Sequence, residues 1–137
     1  ADANNNLNDF LPGSKKSPWV ARGPNNVGGR TRALAWDPDI PNKVWAGGVS
    51  GGLFYNKNIT DNNSIWQEDK RFRDASGVTA IVFDPINKGV MYVATGEGFN
   101  SLRLGFGIFK SKGPTHNFVK LKSTEHFTSI TDLVINV

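Results

Sequence analysis

The most restrictive feature of this 137-residue chain is that it repeats itself. Arg32-Ala33-Leu34-Ala35-Trp36-Asp37-Pro38 lies over Thr79-Ala80-Ile81-Val82-Phe83-Asp84-Pro85, with the same or similar residue types in six of seven columns. The two Asp-Pro pairs are 47 residues apart, and a third copy starts at Thr131-Asp132-Leu133-Val134-Ile135-Asn136, with Asn136 52 residues after Asp84. A period of this size means one supersecondary unit used in tandem, each copy burying apolar surface on the next. The first segment of each copy is almost continuously apolar, as expected of a strand covered on both faces. Asp-Pro then ends it, because the Asp side chain accepts hydrogen bonds within its own turn while Pro fixes φ and removes a donor.

Three further strands complete each copy. Val44–Gly48 and Val90–Thr95 are the second strands, Leu53–Asn56 and Ile108–Ser111 the third, Ile65–Gln67 and Phe118–Leu121 the fourth. A glycine-rich joint, Gly47 to Gly52, separates the second strand from the third, and Gly96-Glu97-Gly98 opens the matching joint later. Gly and Asn are frequent and no stretch keeps a helical period, which favours strands joined by tight turns. Four short strands in roughly 45 residues make the blade of a β-propeller. The expected fold is therefore all-β, with propeller blades of four antiparallel strands, present as an incomplete fragment of about two blades plus the first strand of a third. Residues 1–17 read as a polar flexible leader, 18–29 as a closing strand (Trp19–Arg22) with a glycine-rich lead-in, 30–76 as blade one, 77–126 as blade two, and 127–137 as the truncated opening of blade three. Propellers close with roughly four to eight blades, so the remaining blades are expected beyond Val137.

Charge and composition remove several functions. Sixteen Lys and Arg against twelve Asp and Glu give +4, but the cations are scattered, which argues for a soluble basic surface and against nucleic acid. The chain lacks cysteine, hence disulfides and thiolate metal sites, and no apolar window is long enough to span a membrane. His116 and His126 have no third ligand pattern nearby, so neither metal nor cofactor is expected. Gly48-Val49-Ser50-Gly51-Gly52 formally satisfies the serine-hydrolase elbow, but Leu53-Phe54-Tyr55 comes next where that motif requires a helix. The start at Ala1, without methionine, is how a processed chain looks.

Four stretches carry a family resemblance: Gly23-Pro24-Asn25-Asn26-Val27-Gly28-Gly29-Arg30, Ala33 to Pro38, Ala46 to Leu53, and Ala94-Thr95-Gly96-Glu97-Gly98. They resemble the BNR, Asp-box and YVTN-type (WD40-like) β-propeller repeats, above all those of secreted Bacteroidota propellers, over Trp19 to Val137. The Asp-box pattern Ser-x-Asp-x-Gly-x-Thr-Trp is eroded: Ser111 starts it, but Gly113, Thr115, Asn117 and Phe118 stand at the other defined positions. The resemblance implies a non-catalytic propeller, extracellular or on a bacterial cell surface, holding a protein or glycan on its rim loops. Two alternatives stand beside it: part of a propeller glycoside hydrolase of the sialidase or xyloglucanase type, and an assembly factor for a membrane complex. The hydrolase needs two carboxylates. Val49 stands where the xyloglucanase-like branch carries its aspartate, and Glu97 by itself is not a pair, so no catalytic residue is assigned. Blade connectivity puts the joints at Gly47–Gly52 and Thr95–Gly107 on one face. The later joint is about eight residues longer and holds polar and aromatic side chains suited to a peptide or sugar. The expected ligand-binding residues are Arg30, Arg32, Ser50, Glu97, Phe99, Asn100 and Arg103.

Overall fold

The structure, a computed structural model, describes residues 29–72, 77–97, 104–113 and 117–136. The leader and the closing strand at Trp19–Arg22 lie outside them. The described residues form two four-stranded antiparallel sheets, one after the other along the chain. The first contains β1 (Thr31–Trp36), β2 (Val44–Gly48), β3 (Leu53–Asn56) and β4 (Trp66–Asp69); the second contains β5 (Val78–Phe83), β6 (Met91–Thr95), β7 (Ile108–Lys112) and β8 (Asn117–Lys120). In each sheet the strands lie side by side in chain order, and no described residue is in an α-helix.

The repeat in sequence is a repeat in hydrogen bonding. β1 pairs Thr31 with Gly48 and then Ala33 with Gly47, slipping register between them; β5 pairs Val78 with Thr95 and then Ala80 with Ala94, slipping at the matching place. A bulge of this kind sharpens the local right-handed twist. The Asp-Pro turns agree as closely. Asp37 Oδ1 accepts from the backbone N–H groups of Asp39 at 3.1 Å and Ile40 at 3.2 Å, and Asp84 Oδ1 from those of Ile86 at 3.0 Å and Asn87 at 2.9 Å. The fourth strands differ slightly from expectation. β4 leaves out Ile65 and continues to Asp69, while β8 starts at Asn117 and stops before Leu121, whose N–H still donates to Ile108 O.

Alternation along the strands gives each sheet two faces. Ala33, Ala35, Trp45, Gly47, Leu53 and Tyr55 share one face of the first sheet, since Ala33 lies opposite Gly47, Ala35 opposite Trp45, Gly47 opposite Leu53 and Trp45 opposite Tyr55. This face meets the second sheet's Ile81, Phe83, Met91, Val93, Phe109 and Phe118 in a single core, completed by Val78 and Phe72. Phe72 sits in the 3-10 turn Lys70–Phe72 after β4 and meets the rings of Phe109 and Phe118 edge-on, at centroid distances of 5.1 and 4.8 Å. At Gly47 the sheets approach closely: a Cβ there would stand 2.5 Å from Val78 Cγ1.

The expected strand over Thr131–Asn136 makes no ladder among the described residues. It does keep a strand's alternation, with Leu133 and Ile135 half-buried and Val134 88% exposed. Just before it, Ile130 N–H donates to Gly96 O at 3.2 Å and Gly105 N–H to Thr128 O at 2.6 Å, tying the segment to the end of the second sheet.

Asp37 gives the fold a defined acid sensitivity. Burial pushes its carboxyl up, but hydrogen bonds from Trp45 Nε1 (3.1 Å), from the Asp39 N–H and from Lys43, with the Lys43 charge at 3.2 Å, outweigh this and hold it below the usual value of 3.8. The backbone N–H and side-chain amide of Asn87 lower Asp84 in the same direction. A carboxyl lowered in the folded state stabilises the fold above its unfolded value and loses that contribution as pH falls through the folded one. The urea midpoint is therefore expected to hold steady from neutrality to about pH 5 and to drop below about pH 4. Asp37→Asn should flatten that drop; an unchanged acid limb in this variant would show that Asp37 does not set it.

Candidate ligand-binding rim

The order of strands sends the β2–β3 joint and the β4–β5 connection to one end of the first sheet and its Asp-Pro turn to the other. The second sheet is aligned the same way. At the turn end Asp39 Oδ2 accepts from Gly89 N–H at 2.6 Å, and at the joint end a Cβ on Gly77 would collide with Val49 O. The joints of both repeats therefore lie on a common rim.

On the first sheet the joint is closed by Gly48 N–H to Gly52 O at 3.1 Å and Gly51 N–H to Gly48 O at 3.3 Å. Gly51 and Gly52 adopt φ of 116° and 92°, a region that side chains disfavour, so glycine is required at this turn. Val49 is buried and donates its N–H to Arg30 O at 2.9 Å, which sets exposed Ser50 beside exposed Arg30. Arg32 is exposed one residue into β1. The structure thus brings Arg30 and Ser50 together on the rim. Ser50 leads through the two glycines into strand β3 and not into a helix, so the hydrolase-elbow geometry is absent there.

On the second sheet Gly96 N–H donates to Gly77 O at 2.9 Å, repeating the Val49–Arg30 bond 47 residues later. The base of the long loop is clamped by two buried threonines. Thr95 Oγ1 donates to Gly107 O (2.8 Å) and accepts from Phe106 N–H (2.9 Å). Thr124 Oγ1 donates to Leu121 O (2.8 Å) and accepts from Ile108 N–H (2.9 Å). Glu97 is buried, so its carboxylate does not stand open to a rim ligand as expected. Phe99, Asn100 and Arg103 lie outside the described residues.

Above the clamp the rim is apolar. Leu104 and Phe106 are exposed, Phe106 at 47%, and Phe127, at 42%, belongs to the neighbouring 125–128 stretch held by the Gly105–Thr128 bond. His126 stacks edge-on against Phe127, with centroids 4.5 Å apart. The joint read from sequence, Thr95–Gly107, contains both Leu104 and Phe106, but His126 and Phe127 lie outside it. The 125–128 stretch follows the 3-10 turn Lys122–Thr124 after β8, for which the residues carry no periodic signal.

A cleft of about 840 Å³ lies against the first sheet. Its walls include Ile40, Lys43, Trp45, Tyr55, Gln67 and Arg71. Two of its cations, Lys43 and Arg71, are engaged in packing. Lys43 Nζ lies 4.4 Å from the Trp45 ring centre and pairs with Asp37, while Arg71 is held by Asp69 and lies 5.0 Å from the Phe118 ring centre. Among the described residues no three His, Cys, Asp or Glu side chains group to hold a metal, and no helix is long and apolar enough to cross a membrane. Comparison with protein-family models, with curated proteins and with solved structures gives no match.

Proposed function

We propose that the two sheets are consecutive blades of a β-propeller of the BNR or YVTN type, exported to the cell surface or beyond, which binds a protein or glycan on its rim without catalysis. The observation that carries this reading is the repeated joint. Each repeat has the same bulge, the same Asp-Pro turn and the same rim bond, Val49 to Arg30 and Gly96 to Gly77. Segment 128–136 is tied to Gly96 where a third unit would begin, and its alternation matches that of a first strand. Such units close by radial repetition, leaving loops at one rim free to vary.

The exposed Phe106 and Phe127, on a base clamped by Thr95 and Thr124, supply rigid apolar anchors of the kind that dominate protein interfaces. They favour a protein ligand within this reading. Binding is tested on a phage-displayed peptide library and a glycan array. The double variant Phe106→Ala/Phe127→Ala is expected to lose at least about tenfold in affinity for the selected binders, equivalent to about 1.4 kcal/mol, while its urea midpoint stays near the parent's. Undiminished binding by that variant would remove the rim patch from the proposal. Release of reducing sugar, abolished by Glu97→Gln, would favour the glycoside hydrolase instead.

A further inference from the structure

We infer that the cleft against the first sheet is a second binding site, apart from the rim, for an acidic oligosaccharide whose anions meet Lys57 and Lys70. The inference stands independently of the rim reading, since neither Phe106 nor Phe127 lines the cleft. At about 840 Å³ the cleft has the size of a site for a small ligand. Its floor is a single row across three strands. Trp45 of β2 lies opposite Tyr55 of β3, and Tyr55 opposite Gln67 of β4, so the three side chains share one face. Trp45 is buried, whereas Tyr55 and Gln67 are half-buried and present their polar ends to the cleft. The Tyr55 hydroxyl donates to Gln67 Oε1 at 2.8 Å. That bond fixes the amide and leaves its two N–H groups as donors, for which no acceptor occurs among the described residues.

The charges on these walls do not cancel. Lys43 Nζ lies 3.2 Å from Asp37 Oδ2 and Arg71 is held by Asp69, so those two cations already have their acids. Lys57 and Lys70 line the cleft as well; both are exposed, and neither makes an ion pair among the described residues. Glu68, the other acid of the walls, lies opposite Phe54 and alternates to the far face of the sheet. The two lysines stand at opposite ends of the cleft. Lys57 follows the last residue of β3 and Lys70 the last of β4, and these strands run antiparallel, with Leu53 opposite Asp69 and Asn56 opposite Trp66. At about 3.3 Å per residue their backbones are on the order of 15 Å apart. A ligand that meets both is extended and carries more than one anion. Between the cations it finds a phenol, an amide and an aromatic ring, a set that bonds sugar hydroxyls and packs on the apolar face of a sugar. An extended peptide is recognised through pockets for alternate side chains, and Ile40 is the one aliphatic side chain on the described walls.

Isothermal titration calorimetry on the full-length protein tests this with four probes. They are an oligogalacturonate, whose anions are carboxylates, a carrageenan oligosaccharide, whose anions are sulfates, a neutral maltooligosaccharide, and a poly-glutamate peptide. The expected result is binding of at least one acidic sugar, which identifies the anion, and weaker binding as salt rises from about 50 to about 300 mM. Lys57→Ala/Lys70→Ala is expected to lose at least about tenfold in affinity for that sugar. Gln67→Glu should lose as much, because it keeps the acceptor for the Tyr55 hydroxyl but sets a negative charge in the cleft. Lys88→Ala/Lys122→Ala removes the same charge from exposed positions that do not line the cleft, and should bind as the parent does. Failure of both acidic sugars to bind overturns the inference, and so does undiminished binding by Lys57→Ala/Lys70→Ala. Equal weakening in the two double variants would reduce the effect to diffuse attraction by a basic surface and overturn it too. Neutral sugar bound as tightly as acidic sugar would remove the two lysines from recognition. Poly-glutamate bound with the same dependence on Lys57 and Lys70 would replace the sugar by an acidic peptide.

Discussion

Phe72→Ala is expected to lower the unfolding free energy by about 3–5 kcal/mol, the usual range for emptying a buried phenylalanine site. Phe72 is 1% exposed and belongs to the connection between the sheets, yet its ring reaches into the second sheet between Phe109 and Phe118. Removing it takes away two edge-on ring contacts, each worth about 0.5–1.5 kcal/mol beyond the buried area, and leaves a cavity at the sheet interface. Urea unfolding followed by tryptophan fluorescence measures the loss. Phe72→Leu should recover part of it, because most of the apolar volume returns without the ring geometry. A Phe72→Ala variant within about 1 kcal/mol of the parent would mean that the two sheets do not depend on this side chain for their packing.

Gly47→Ala is the second large effect, and its sign distinguishes local from tertiary causes. In a strand with open space beside it, alanine is favoured over glycine by roughly 0.5–1 kcal/mol, because glycine loses more freedom on folding. Here the added methyl meets Val78 Cγ1 at 2.5 Å, Val78 Cβ at 2.8 Å and Val78 O at 2.9 Å. Because one of those atoms is backbone, a rotamer change of Val78 does not relieve the clash. The expected outcome is destabilisation by about 1–3 kcal/mol or more, the range for overpacking. Val78→Ala in the same background should restore part of the loss, giving a favourable coupling energy in a double-mutant cycle. A neutral or stabilised Gly47→Ala variant would show that the sheets stand further apart here.

Most of the strand plan is legible because it depends on local chemistry. Val44–Gly48 and Leu53–Asn56 form strands with the bounds read from sequence, since glycine and asparagine turns delimit them. The two Asp-Pro turns share a single mechanism, and both aspartates accept the backbone hydrogen bonds that mechanism requires. The fourth strands are harder. Ile65 looks like a strand residue and is left outside β4, because edge strands are defined by a partner on one side only and their ends depend on how far that partner extends.

The rim is less legible. The Val49 N–H to Arg30 O bond, which ties the first joint to the start of β1, has no counterpart in the sequence reading, and Glu97, which the spacing presents as a loop carboxylate, is buried. Leu104, His126 and Phe127 give no sign in sequence of sharing a surface, because 22 and 23 residues separate Leu104 from the other two and the tertiary bond from Gly105 to Thr128 helps bring the stretches together. Asp37 shows the same division within one residue. Its turn is local and readable, whereas its bonds to Trp45 and Lys43 depend on the partner strand.

By itself, then, the amino-acid order determined the unit: four short strands, an aspartate-terminated first strand, a glycine joint, and a period near 47 residues. Those come from alternation, turn chemistry and the absence of a helical period, all of which act over a few residues. Only the tertiary structure decided which face of each unit is covered. Leu34 and Ile81 occupy the same column of the repeat, yet Leu34 is exposed and Ile81 buried. The difference is whether a neighbouring sheet lies against them, and burial is a property of the partner as much as of the residue.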